Sequence, residues 1–254
     1  MSSPRWVFSA GTYRTASTTH YRITRDIVEE TNSGIGIGYH TESRLEERDE
    51  STRRKHIIVC KVFKFLPQHS PFGKRFLEEN RLKALCTIRD PRDIIVSMKA
   101  RSEAQRPDSN GTAFDFKQTV TENFPIWLGQ LEQWIALGPE ITLTTKYEDF
   151  INNLYKEAKR IAAHLSITVD DDLLKTIAKR YTIQAQVDTK KEYREAVKRA
   201  KERGEDPPRE DQWLPSVPGI KFGTSGHWRT WLSTGEIAMV NETCAKFMER
   251  FGYS

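Results

Sequence analysis

The sequence predicts an α/β fold, with a central parallel β-sheet flanked by helices. Three observations lead there. Short apolar runs rich in β-branched residues recur along the chain, segments of helix length separate them, and two of the runs end in basic turns. Strands that alternate with helices form parallel sheets covered on both faces. Ligands of such sheets sit at the carboxyl ends of the strands.

RWVFSA (5–10) is a short apolar run that stops at Gly11, the pattern of a buried strand. Ser17 or Thr18 begins the next helix, which carries Ile23, Ile27 and Val28 on one face. GIGIGYH (34–40) is a Gly-diluted second strand, and HIIVCKVFKF (56–65) a third, strongly β-branched one. LKALCTI (82–88) is the fourth and stops at RDPRD; ITLTTKY (141–147) is the fifth. Helix-length segments occupy 72–80, 91–101, 113–137 and 151–165. The stretch 168–205 reads as helical but densely charged, as a solvated surface helix is. Residues 205–226 are rich in Pro and Gly and form a long loop able to fold over a site. EIAMVNETCAKFMERF (236–251) has helical periodicity and closes the domain. There is no internal repeat and no low-complexity linker. One domain spanning 1–254 is therefore expected, with segment 168–226 partly covering the site.

Forty Lys plus Arg face 35 Asp plus Glu, a net charge of +5 and a pI of about 9.0. The excess is scattered and suits an anionic ligand. No Arg-rich tract or aromatic-interleaved RNA motif points to nucleic acid. Cys60, Cys86 and Cys244 have no C-x-x-C spacing, and an odd number is a poor disulfide framework, so a reducing compartment is expected. No signal peptide is evident, and no apolar run approaches the ~20 residues of a membrane span. These features describe a soluble, cytoplasmic protein without a membrane partner; the oligomeric state stays open.

Chemistry concentrates in three turns. SAGTYRTASTT (9–19) joins the first strand to the first helix. A Walker loop requires G-x-x-x-x-G-K-[ST]. Here Gly11 begins G-T-Y-R-T-A-S-T, with Ala16 for the second glycine and no lysine after it. Backbone N–H groups at a helix start favour an anion; Arg14 adds a charge, and Thr15, Ser17, Thr18 and Thr19 add hydroxyls. The competing reading is an ordinary helix N-cap with spare threonines. In TIRDPRDIIVSMKAR (87–101), Arg89 stands at a strand end, Pro91 near a helix start, and Ser97 eight residues after Arg89. Asp90 or Asp93 would cap that helix, which accounts for Pro91 and not for two arginines at a strand's carboxyl end. In KFGTSGHWRTWLS (221–233), Gly223 and Gly226 bracket a turn beside Lys221 and Arg229. Three basic turns in one α/β domain suggest a ligand with phosphates at both ends.

With these residues in view, the chain resembles the sulfotransferases that use 3′-phosphoadenosine 5′-phosphosulfate (PAPS). Arg14-Thr15-Ala16-Ser17-Thr18 matches their [KR]-S-G-[ST]-T loop, with Thr for Ser and Ala for Gly. Arg89 and Ser97 keep the eight-residue spacing of the pair that holds the 3′-phosphate. Lys221-Phe222-Gly223 through Arg229 resembles their [RK]-x-G-x-x-G-x-W-[KR] segment, which closes over the 3′-phosphate and adenine. Tyr147-Glu148-Asp149 matches a strand end whose Tyr lies near the adenine. The resemblance spans residues 5 to 253 in order. It implies a P-loop-like sulfotransferase fold, PAPS as donor, adenosine 3′,5′-bisphosphate (PAP) as product, and no metal.

By the same resemblance, Arg14, the loop N–H groups and the hydroxyls hold the sulfonate and 5′-phosphate. Lys61 falls on the Lys of a K-T-H strand and would stabilise the bridging oxygen; a strand Lys reaching for the surface is the alternative. The chief departure is Phe63, where many members place a basic His. Glu42 is the first candidate to replace it, His40 the second and His20 the third. The acceptor is a small molecule, sulfated on a hydroxyl or an amine or guanidinium nitrogen. GYHTES with CKVFKFLP is similar to cyanobacterial enzymes that sulfate saxitoxin-type toxins, which implies an acidic, aromatic pocket for a cationic alkaloid. Another natural-product alcohol or phenol is the alternative acceptor. A small-molecule kinase would need a Walker lysine and a Mg²⁺-binding Asp, and the lysine is absent. A nucleotide- or nucleic-acid-binding module would not match both ends of PAPS.

Overall fold

Strand β1 (Trp6–Ala10) lies at the centre of a five-stranded sheet; it is mostly apolar, and all five residues of WVFSA are buried. The structure is a computed structural model that describes residues 6–41, 44–45, 57–104, 114–206 and 225–253. With β2 (Gly34–Tyr39), β3 (Ile57–Val62), β4 (Leu82–Ile88) and β5 (Thr142–Lys146), the strand order is β2-β3-β1-β4-β5. Every pairing is parallel. The carboxyl ends of β1, β3 and β4 therefore open on one edge.

Period-two alternation divides the sheet's side chains between two cores. Trp6, Phe8, Ile58, Cys60, Ala84 and Cys86 enter one; Val7, Ile57, Val59 and Leu85 enter the other. The first core is covered by α2 (Pro71–Glu78), α3 (Pro91–Ala104) and α4 (Phe124–Ile135), with contributions from the C-terminal helices named below. Phe72, Phe76, Phe124, Leu131 and Trp134 fill it. The second core is covered by α1 (Ser17–Glu30), which buries Ile23, Ile27 and Val28, as its spacing predicts. Each such side chain contributes about 1.5–3 kcal/mol when withdrawn from water.

Several boundaries differ from expectation. β5 ends at Lys146, and Tyr147 opens α5 (Tyr147–Asn152) instead of closing the strand. α6 (Leu154–His164) follows, begun by Asn153, whose side chain accepts from the Lys156 N–H. The charged stretch 168–205 is two helices. α7 (Asp171–Arg180) buries Leu174, Ile177 and Ala178 in the second core, whereas α8 (Ile183–Glu202) buries only Gln186 and Ala200. After α9 (Trp228–Trp231), the C-terminal helix is divided at Cys244 into α10 (Thr234–Thr243) and α11 (Ala245–Phe251). Ser233 and Glu236 start α10 with a reciprocal capping box.

No helix among the described residues is long and apolar enough to cross a membrane. Among the same residues, no group of three or more His, Cys, Asp or Glu is placed to hold a metal ion. Cys60, Cys86 and Cys244 are free and buried.

Candidate active site

The turn leaving β1 is built on close approach and left-handed backbone. A Cβ on Gly11 would lie 2.6 Å from Ser17 Cβ and 2.9 Å from Thr15 Oγ1, so only glycine fits. Arg14 (φ 62°) and Ala16 (φ 64°) are both left-handed and curl the chain around Thr15. The buried Thr15 hydroxyl donates to Thr12 O at 3.0 Å and Ser9 Oγ donates to Ser17 O at 3.0 Å, so these groups hold the loop's own shape. Helix α1 starts at Ser17 with no side-chain cap, which leaves its first N–H groups for a ligand.

Arg89 reaches the same loop from the end of β4. It is 3% exposed, its Nη1 donates to Arg14 O at 2.9 Å, and its guanidinium lies 3.9 Å from the centre of the Tyr147 ring. Arg14 Nε donates to Ser97 Oγ at 2.9 Å. Loop, β4, α3 and α5 thus converge on Arg14, Arg89, Ser97 and Tyr147. This puts the Arg14 guanidinium on the Arg89 and Ser97 side of the loop. Burial first, then the like charges of Arg101 and Arg89, pull Arg14 down to about 10. A cluster that holds cations together against their repulsion is relieved by a dianion.

The remaining charged residues of RDPRD serve structure. Asp90 accepts from the Arg92 backbone N–H at 2.9 Å and pairs with the Arg92 guanidinium at 2.8 Å. Arg92 also donates to Tyr253 O at 2.6 Å and lies 3.9 Å over the Trp228 ring. Asp93 accepts the Gly226 N–H at 2.7 Å and the Trp228 N–H at 3.2 Å. Gly226 adopts φ 90°, a conformation glycine takes without strain. One helix start therefore fastens both the C-terminus and the end of the glycine-rich segment.

Lys61 comes in from β3, level with Ser9 of β1. Its Nζ donates to Thr18 Oγ1 and sits 4.8 Å from the centre of the Phe63 ring. Burial, and then the charge of Arg22, push its ammonium down to about 8. The reading of Lys61 as a surface-seeking lysine is thereby corrected: it is turned inward to the loop.

The alternatives to a histidine at 63 fare differently. His20 is fully buried, its Nε2 3.2 Å from Glu157 Oε1 and its ring 5.3 Å from that of Phe150. It belongs to the core under α1, where Glu157, held down to about 2 despite burial, also takes hydrogen bonds from Thr145 and Arg160. The third candidate base, His20, is thus a fully buried partner of Glu157. His40 is buried, and its backbone N–H donates to Lys61 O at 3.2 Å. Glu42, Lys221, Phe222 and Gly223 lie outside the described residues.

Beside the loop is a pocket lined by Gly11, Tyr13, Phe63, Lys64, Trp127 and Gln130, with Leu131 and Trp134 at its floor. Tyr13 stacks on Phe63 (5.1 Å between centroids, 13° between planes) and touches Trp127 at 4.7 Å. The expected aromatic lining is present; among the described residues Lys64 is the one charged residue of the lining, and Glu42 lies outside them. Sequence reading missed Tyr13, Trp127 and Asp93 as parts of the site. An aromatic residue inside a Gly- and Thr-rich turn was the signal for Tyr13; Trp127 lies on a helix whose core periodicity hides it.

Fold and site together define an α/β protein whose strand-to-helix loop, basic strand end and aromatic pocket share one sheet edge. The family model described as the sulfotransferase domain matches residues 60–252, and the chain belongs to that family. It is 24% identical over 191 residues to mouse (Mus musculus) sulfotransferase 2A1, a match covering 73% of this chain and 62% of that protein. The chain thus spans about 62% of the length of the curated relative it matches. Its fold resembles that of mouse sulfotransferase SULT7A1 complexed with PAP (TM-score 0.63, 16% identity, 96% of this chain and 84% of that one). It also resembles that of retinol dehydratase in complex with androsterone and inactive cofactor PAP (TM-score 0.59, 15% identity, 96% and 80%).

Proposed function

We propose that this protein is a cytoplasmic sulfotransferase that moves the sulfuryl group of PAPS to a hydroxyl or nitrogen of a small-molecule acceptor. The observation that carries the reading is the convergence of Arg14, Arg89, Ser97 and Tyr147 on one loop. The relatives solved with PAP and the three free, buried cysteines add support.

The residues present suit such a donor. Arg89 and Ser97 bind a 3′-phosphate, Tyr147 flanks the adenine, and the α1 N–H groups with Thr18 take the 5′ end. Lys221, Phe222 and Gly223 complete the 3′ end; the tether of Gly226 and Trp228 to Asp93, at the start of the helix bearing Ser97, supports this and a covering role for the later part of segment 168–226. Bound PAPS supplies an activated sulfuryl group. Lys61, turned to Thr18, neutralises charge building on the leaving oxygen. Glu42 takes the acceptor's proton; the register Tyr39↔Lys61 brings the chain after β2 to the Lys61 side. A saxitoxin-type cation would find aromatic faces in the pocket; among the described residues its charged lining is Lys64, which favours a neutral or acidic alcohol.

Calorimetric titration with PAP, ATP and GTP tests the reading. Tight binding of PAP alone is expected; tight ATP binding with none to PAP sinks it. Arg89→Ala should weaken PAP by roughly 1.5–3 kcal/mol and 5′-AMP far less, as loss of a charge-assisted contact to the 3′-phosphate requires. Turnover of Glu42→Gln against His40→Ala at saturating donor decides the base.

A further inference from the structure

The acceptor pocket is asymmetric in a way that selects for charge. Its inner end is the Gly11–Tyr13 turn of the donor loop, and its walls are the rings of Tyr13, Phe63 and Trp127. Phe63 is in contact with Lys61 on one side and is followed in the chain by Lys64 at the exposed rim. Among the described residues Lys64 makes no ion pair, and no carboxylate shares the lining. The pocket encloses about 40 Å³ and is partly open to solvent. Tyr13 stands at that open side: it is 44% exposed and spans the Phe63 and Trp127 rings.

These features specify a ligand. Flat aromatic walls bind a flat apolar body. A lysine at the rim with no carboxylate beside it among the described residues favours a negative group and disfavours a positive one. We propose that the acceptor is a planar aromatic alcohol that carries an acid group, its ring lying among Tyr13, Phe63 and Trp127 and its acid group at Lys64. This inference rests on the sulfotransferase reading above. In the reaction the acceptor oxygen forms a new bond to sulfur, and the bond from sulfur to the donor's phosphate oxygen breaks with its electron pair staying on the nucleotide. The hydroxyl proton goes to the base.

Three phenols of similar size separate charge from shape: 4-methylphenol, 4-hydroxyphenylacetate and tyramine, assayed with PAPS and the full chain. We expect kcat/KM to rank acid over neutral over amine, by about fivefold per step, the scale of a partly exposed ion pair. Lys64→Ala should bring the acid-to-neutral ratio close to one, and Lys64→Glu should put tyramine ahead of the acid. Equal use of the three phenols, a preference for tyramine, or an acid preference that survives Lys64→Ala overturns the inference. PAP titration of the same samples keeps two failures apart. PAP binding without transfer to any of the phenols overturns the acceptor class alone, whereas absence of PAP binding overturns the sulfotransferase reading beneath it.

Discussion

Position 16 shows how one side chain sets the cost of the donor loop. Ala16 sits at φ 64° and ψ 19°, where an L-residue loses about 1–2 kcal/mol to its own Cβ. The resemblance to [KR]-S-G-[ST]-T located the departure from glycine, but only the backbone angle explains why glycine stands there. Ala16→Gly should stabilise the fold by about 0.5–1 kcal/mol, the strain relieved less the extra freedom glycine gives the unfolded chain. A rise in the urea midpoint measures it, and an unchanged or lower midpoint refutes the strain argument. Lys61 makes a second prediction at this scale. Its ammonium titrates near 8 in the folded protein and near 10.5 when free. Between those values the unfolded chain binds the extra proton, so folding stability rises with pH across that window. Because the group keeps some solvent, the gain is about 1–2 kcal/mol. Between pH 7.5 and 9.5, wild type should therefore gain more stability than Lys61→Met; identical gains would place the titration elsewhere.

Helix starts carry most of the site's organisation at the next scale. The run RDPRD was legible as a ligand cluster at a strand end, and Arg89 fulfils that. Its other charges act inside the protein. Asp90 and Arg92 lock the chain end at Tyr253, and Asp93 holds Gly226 and Trp228. Spacing along a helix separates none of these roles, because partners 133 and 161 residues away are invisible from within the motif. Asp93→Ala frees two N–H groups and should destabilise the 225–231 turn by about 1–3 kcal/mol. Amide exchange at Gly226 and Trp228 should quicken while exchange in β1 stays slow. Uniform acceleration through the sheet would mean that Asp93 supports the whole fold instead. The edge strand β2 is managed in the same manner: Glu29 accepts the Gly36 N–H at 2.9 Å and the Tyr21 hydroxyl accepts the Gly38 N–H at 2.7 Å. Both acceptors come from α1, so an edge that glycines leave bare is closed to another strand.

The whole molecule turns on β1, which separates the two cores and ends in the loop. Phe8 stacks at 5.6 Å on Trp6 and packs against Phe65 at 5.0 Å and Trp134 at 5.8 Å. Phe8→Ala should cost about 3–5 kcal/mol, a large part of the 5–15 kcal/mol a domain possesses. Urea unfolding followed by tryptophan fluorescence and by far-UV circular dichroism should shift together in this variant. Separate transitions would show that the two faces of the sheet unfold independently.

The sequence by itself determined the α/β class, the five strands, the loop at the end of β1 and the basic strand end of β4. Each is written in local chemistry: β-branched runs, a glycine at a close approach, charge at a strand terminus. Tertiary structure decided what depends on distant chain segments meeting. It turned Arg14 toward Ser97, drew Lys61 to Thr18, buried His20 against Glu157, and made Tyr147 a helix start beneath Arg89. It also set Lys64, the one charged lining residue among those described, beside aromatic rings from the turns after β1 and β3 and from α4. The direction of a side chain is fixed by the elements packed around it, and no window of sequence contains them all.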